Sequence, residues 1–221
     1  MTDSVFPADA WCPAEPDNTT LLVLCGGRGT RMGGVDKPLL TWRGRMLVEH
    51  VLDSVPADMP RLISANRNQA LYQRFAPVAH DAPVLADTAI QPGPLVGVLS
   101  AWWRVNRDLA PDPSGTGSGA YVTTPWLLVS PGDTPALAPD WWATMMHSAN
   151  VQGCSAVVAH DGTRQQHLHL LLHRNVAESL QLYLRSGASA VFRWLSSLDT
   201  ARAEFTDAEQ FRNMNRPDDL A

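Results

Sequence analysis

Between two apolar runs, TTLLVL and PLLTW, the chain carries CGGRGTRMGGVDK, with glycine at 26, 27, 29, 33 and 34 and with Arg31, Asp36 and Lys37 among them. Glycine gives up more backbone freedom on folding than other residues, so a cluster of it is costly to order. Such a cluster is kept where backbone must come close to something, most often a phosphate. The first apolar run has the length of a buried strand. After the loop, MLVEHVLDSV places Leu47, Val48, Val51, Leu52 and Val55 on one helical face. Strand, glycine loop and helix in that order already restrict the chain to few architectures.

The rest of the periodicity narrows them further. Residues 20–24, 61–65, 78–81, 126–130, 155–159 and 167–173 read as strands. Residues 46–55, 175–185 and 188–197 read as helices, as do the stretches opening at Pro94 and Pro139. Strands alternating with helices imply an α/β fold, a mostly parallel sheet with helices on both faces. Ligands of such sheets bind beyond the carboxyl ends of the strands. The glycine loop, Asp81 and Asp133 each follow an expected strand, so all three are expected on one edge. Residues 1–18 are expected to form a flexible tail, and 19–221 a single domain in which DLAPDPSGTGSGA (108–120) is a mobile loop.

A chain of 221 residues buries enough core to fold without staples. Its formal charge of −5 leaves no basic footprint for nucleic acid or an anionic membrane, so neither is expected as a partner. Cys12, Cys25 and Cys154 are far apart and form no CxxC pair, which points to a reducing compartment. The N-terminus lacks the cationic and apolar pattern of a signal peptide. No apolar stretch reaches the roughly 18 residues of a membrane helix. A cytoplasmic protein is expected.

The loop fails two phosphate-binding templates. A Walker A loop needs GxxxxGK[ST], and here Val35 follows Gly34. A dinucleotide GxGxxG starts at Gly27 and Gly29 but meets Met32, and no acid closes the second strand. A third pattern, LxGGxGxRMGGxDKxLL, fits from Leu24 to Leu40 and belongs to nucleotidyltransferases of sugars and cofactors. Its logic is physical. Backbone N–H groups of the glycine loop form a concave donor set, and Arg31 and Lys37 add full charges for a triphosphate.

The chain resembles the MobA family, the molybdenum cofactor guanylyltransferases, over about residues 19–220. Besides LCGGRGTRMGGVDKPLL, the matching pieces are ISANRNQALY, VAHD, PGPLVGVLSA, SPGDTPAL and FRNMNRPDDL, in that order. The resemblance implies a Rossmann-like three-layer α/β/α nucleotidyltransferase fold. It implies transfer of GMP from GTP to molybdopterin with release of pyrophosphate and Mg²⁺ as cofactor. Leu24, Cys25, Gly26, Gly27 and Gly29 are then expected to meet the nucleotide through backbone, together with Ser64 and Asn66. Asp81 is expected at the guanine, where a carboxylate accepts both N1–H and N2–H. Lys37 and Arg31 are the expected catalytic cations on the phosphates, and Asp133 the Mg²⁺ ligand. Asn213, Asn215 and His167 are expected on the pterin side. The implied partners are GTP and molybdopterin, with transient contact to molybdenum cofactor insertion proteins or molybdoenzyme chaperones. The chain departs from the family pattern at Cys25 (alanine there), Ser64 (asparagine), Leu168 (proline) and Arg216 (threonine).

Other readings stay open at this point. A cytidylyl- or sugar-phosphate nucleotidyltransferase shares the fold, although cytidylyl relatives read LAAGxSxRMG without GG-x-DK. A non-catalytic cofactor carrier would have no need of Lys37 and Asp133. Asp133 in PGDTP also suits an Asx turn, Asp81 a solvated strand end, and Asn213 and Asn215 turns before Pro217. His167, His169 and His173 have strand spacing with no Cys or acid to complete a metal set, which favours a partly buried strand face. The tryptophan pairs 102–103 and 141–142 are expected in core packing. Gly97 either admits a nucleotide or forms a turn.

Overall fold

A computed structural model describes residues 10–25, 36–105, 124–214 and 219. The strands are β1 (Thr19–Leu24), β2 (Thr41–Trp42), β3 (Arg45–Met46), β4 (Arg61–Ser64), β5 (Val78–Ala79), β6 (Trp126–Pro131), β7 (Ala156–His160), β8 (Gln165–His173) and β9 (Thr200–Glu204). The helices are α1 (Leu47–Leu52), α2 (Gln69–Tyr72), α3 (Ala82–Leu85), α4 (Pro94–Val105), α5 (Trp141–Gln152), α6 (Ala177–Arg185) and α7 (Val191–Leu195). The glycine loop at 26–35 and the expected mobile loop at 108–120 lie outside the described residues.

One sheet organises the molecule, in the order β5-β4-β1-β6-β8-β7-β9. β1 is apolar on both faces, with Leu21, Leu22 and Val23 fully buried, as a central parallel strand must be. It pairs in parallel with β4 on one side and β6 on the other. β4 pairs in parallel with β5, and β7 with β9. β8 alone runs antiparallel to both its neighbours. The reason is local: Asp161-Gly162 turns the chain straight back after β7. Gly162 stands at φ +85, and Asp161 Oδ1 accepts from the N–H groups of Thr163 (2.9 Å) and Arg164 (2.8 Å).

Helices cover both faces, giving three layers. Val48 and Val51 of α1 pack with Trp141 and Met145 of α5 on one side. Leu99 and Trp102 of α4 pack with Leu180 of α6 and Trp194 of α7 on the other. Trp102, Trp126, Trp141 and Trp194 are fully buried, so these tryptophans are core, at 150–250 Å² of buried surface each on a rough scale. Among the described residues no helix is long and apolar enough to cross a membrane.

The expectation of a loose tail needs correcting for residues 10–18. Trp11 Nε1 donates to the Cys154 carbonyl and Trp126 Nε1 to the Cys12 carbonyl, both at 3.1 Å. Ala14 is 1% exposed, and Asn150 brackets its backbone: the Ala14 N–H donates to Asn150 Oδ1 (2.7 Å), and Asn150 Nδ2 donates to the Ala14 carbonyl (3.0 Å). Proline and acid content suggested a tail because it carries no periodicity; indole and amide side chains elsewhere in the chain supply the anchors. Asn150→Ala strips both partners from a buried peptide group and is expected to cost about 2 kcal/mol. The measure is a lower urea midpoint at unchanged slope. A change below about 0.5 kcal/mol would show that the segment is not integral to the domain.

Candidate functional site

Register decides what can meet at the edge. Leu24 stands opposite Ser64 and Pro131, and Ser64 opposite Ala79. Strands β5, β4, β1 and β6 therefore end level, and the four chains leaving them start from one line. The ladder runs one step further: Cys25 N–H donates to the Ser64 carbonyl (2.8 Å), and Gly132 N–H to the Leu24 carbonyl (3.0 Å). Gly132 has no room for a side chain, since a Cβ there would stand 2.8 Å from Cys25 Sγ and 3.0 Å from Pro38. Gly97 of α4 is equally confined, at 2.6 Å from Ser64 Oγ. Gly97 forms no turn but lies inside α4, in close helix-on-strand packing with Ser64 buried beneath it.

Asp81 leaves β5 into this edge and is buried. Asn66, leaving β4, grips it twice: Asn66 Nδ2 donates to Asp81 Oδ2 (2.6 Å), and Asp81 N–H donates to Asn66 Oδ1 (2.9 Å). Ser100 Oγ donates to Asp81 Oδ1 at 3.4 Å. Burial pushes the Asp81 pKa up, while Asn66 and Ser100 pull it back. A carboxylate offers roughly four lone-pair directions, so this pinned group retains capacity for incoming donors. Ser100 was not singled out from sequence. It lies three residues after Gly97, on the same face of α4, and that spacing was the available signal.

Asp133 leaves β6 on the other side of β1. Its Oδ1 accepts from Asn213 Nδ2 (2.9 Å), and its carbonyl accepts from Met214 N–H (2.9 Å), so the C-terminal FRNM segment is tied across it. Burial raises the Asp133 pKa; the Asn213 amide and the Lys37 charge oppose that. Behind it, Thr134 Oγ1 donates to the Pro131 carbonyl (3.0 Å) and stands 3.3 Å from Nε2 of His169. His169 lies between Trp141 and Phe211, and burial lowers its pKa to about 3, so it is a neutral wall of the site. Lys37 opens a short 3₁₀ turn (Lys37–Leu39) directly after Asp36.

The three histidines of β8 do not share a face. Val158 pairs with Leu170 but Ala159 with Gln166, so three residues bulge out. His169 faces Trp141, whereas His167 turns toward Phe192 of α7 at 6.2 Å and bonds Gln165 Oε1 (3.2 Å). Among the described residues no group of three His, Cys, Asp or Glu is placed to hold a metal. A cavity of about 550 Å³ opens beside Asn213, lined also by Asp161, Arg164, Gln166, Phe211 and Arg212.

The structure thus brings Leu24, Cys25, Lys37, Ser64, Asn66, Asp81, Asp133 and Asn213 to one sheet edge. His167 stands on the α7 side. Gly26, Gly27, Gly29, Arg31 and Asn215 lie outside the described residues.

Comparison with known proteins agrees with this architecture. The family model of the MobA-like NTP transferase domain matches residues 21–201. The molybdenum cofactor guanylyltransferase of Vibrio cholerae is 32% identical over 209 residues, covering 94% of this chain and 92% of its own. That of Acidovorax ebreus is 36% identical over 217 residues, covering 91% and 92%. The crystal structure of molybdopterin-guanine dinucleotide biosynthesis protein A from Archaeoglobus fulgidus superposes with a TM-score of 0.67 at 21% identity, over 91% of this chain and 94% of that one. The glycine loop, the level strand ends with their two held carboxylates, and this likeness over nearly the whole length lead to one conclusion: the chain belongs to the MobA-like NTP transferase family and is a nucleotidyltransferase.

Proposed function

We propose that the chain transfers GMP from GTP to molybdopterin, forming the guanine dinucleotide cofactor and pyrophosphate. The observation that carries this reading is the pair of carboxylates on either side of β1, Asp81 buried and Asp133 half-buried, each oriented by an asparagine, Asp81 by Asn66 and Asp133 by Asn213. The names of the relatives give the same activity. In this reading Asp81 meets the guanine edge, where its free lone pairs accept N1–H and N2–H. Leu24, Cys25, Gly26, Gly27 and Gly29 meet the nucleotide through backbone, and Ser64 lies beneath the base. Lys37 and Arg31 balance the phosphate charge.

Asp133 fits a Mg²⁺ site. It presents a hard carboxylate oxygen, and Mg²⁺ takes one or two carboxylates and completes its shell with substrate phosphates and water. When bound there, the ion would neutralise charge on the departing pyrophosphate. Asn213 holds Asp133 in one orientation for that purpose. The attacking group is the terminal phosphate of molybdopterin, already anionic at neutral pH, so no strong general base is required. What the protein must supply is in-line positioning and charge compensation between two anions. The cavity beside Asn213 supports an acceptor on that side, with Asn215 and His167 as further candidates. Handover to a cofactor insertion protein or molybdoenzyme chaperone, in the cytoplasm, belongs to the same proposal.

The test is pyrophosphate release by the purified chain with Mg²⁺, molybdate-loaded molybdopterin and either GTP or CTP. Release is expected with GTP and the acceptor together. Release with CTP but not GTP would overturn the base assignment. In the same assay Asp133→Asn is expected to lower turnover by about 100-fold or more, the scale of removing one preorganised charge-stabilising group, with an unchanged melting temperature. Normal turnover of that variant at saturating Mg²⁺ would remove Asp133 from the mechanism.

A further inference from the structure

The turn that leaves β4 carries two asparagines two residues apart, and they hold different partners. Asn66 is fixed to Asp81. Asn68 stands in the left-handed region (φ 51, ψ 27), which asparagine tolerates far better than most residues. From there Asn68 Nδ2 donates to Asp36 Oδ2 at 3.0 Å. Its own backbone is fixed as well, because its carbonyl accepts from Leu71 N–H (2.9 Å) and Tyr72 N–H (3.1 Å). Tyr72 is fully buried, with its hydroxyl beside Asp36 and Cys25. Asp36 is 8% exposed, and its carbonyl accepts from Leu39 N–H (3.0 Å). In sequence Asp36 closes the GGVD end of the glycine motif, and Lys37 follows it directly.

We propose that Asn68 is a positioning residue for Lys37. By holding the Asp36 carboxylate it sets where the Lys37 ammonium stands over the nucleotide phosphates. Through the turn of three residues it ties that placement to Asn66 and the Asp81 carboxylate, so base site and phosphate site share one rigid connection. The inference rests on the reading above that Lys37 meets GTP. It adds a residue outside the glycine loop that governs how well Lys37 works.

Asn68→Gly keeps the positive φ and removes the amide. Asn68→Asp keeps shape and backbone preference and sets a second carboxylate against Asp36. Both are measured for melting temperature, GTP affinity and steady-state rate, in the wild-type and Lys37→Met backgrounds. Alone, each variant is expected to lower kcat about tenfold with less than about threefold change in KM for GTP, the pattern of an interaction strengthened in the transition state. With Lys37→Met already present, Asn68→Gly is expected to cost less than about twofold more, because contacts acting through one group are not additive. A merely structural role predicts the same tenfold loss in both backgrounds, and that result overturns the proposal. So does a wild-type rate in Asn68→Gly. If the glycine variant loses its cooperative melt, Asn68→Asp reads the same contact by the same two criteria. A wild-type chain that binds no GTP removes the functional reading and this inference together. A wild-type chain that turns GTP over while both Asn68 variants match it removes this inference alone.

Discussion

The site depends on how β1 is seated. Its parallel pairing to β4 and β6 puts Leu24 level with Ser64 and Pro131, and the pairing of β4 to β5 brings Ala79 to the same height. Parallel ladders permit this because every crossover returns the chain to the same end of the sheet. A slip of one residue in β1 would exchange the side chains packed on its two apolar faces and misalign the exit points of the loops. Strands that are buried on both faces resist such a slip. Gly132 and Gly97 then let Cys25 and α4 close in to distances at which a Cβ would clash.

On that frame the chain keeps two carboxylates where burial opposes their charge. Among the described residues each accepts from a neutral amide, Asp81 from Asn66 and Asp133 from Asn213. An amide donor lowers the cost of the charge and leaves the carboxylate anionic toward whatever arrives. A lysine or arginine in direct contact would neutralise it instead. The choice of asparagine at 66 and 213 thus fits the proposed roles, in which Asp81 receives guanine N–H donors and Asp133 a cation. His169, neutral because it is buried between aromatic rings, walls the Asp133 loop without adding a competing charge.

Much of this was legible in the sequence, and what was not has physical reasons. The strand–loop–helix start, the α/β layering and the common edge for Asp81 and Asp133 follow from periodicity and from the glycine pattern. β9 was missed because TARAE carries Ala, Arg and Glu, residues of low strand preference, and becomes a strand only by pairing with β7. The reversal of β8 could have been read from Asp161-Gly162 between two apolar runs, a strong hairpin signal. The opposite facing of His167 and His169 could not, since a bulge that breaks the two-residue period leaves no mark in composition. The packing of residues 10–18 depends on Trp126 and Asn150, more than 100 positions away, and no local pattern foretells it. Asp36 and Asn68 stood inside quoted motifs, but their pairing across 32 positions is visible only in the fold.

The account stands most directly on Asp81 as the group that reads guanine. The decisive measurement is the dissociation constant of GTP and of inosine triphosphate, which lacks the N2 amino group, for the wild-type chain and for Asp81→Ala. A charge-assisted hydrogen bond of about 1.5 kcal/mol or more corresponds to a wild-type preference for GTP of about tenfold or more. The account predicts that preference in the wild-type chain and its loss in Asp81→Ala, where both nucleotides bind alike. An equal preference for GTP in the two proteins would place guanine recognition elsewhere and contradict the account.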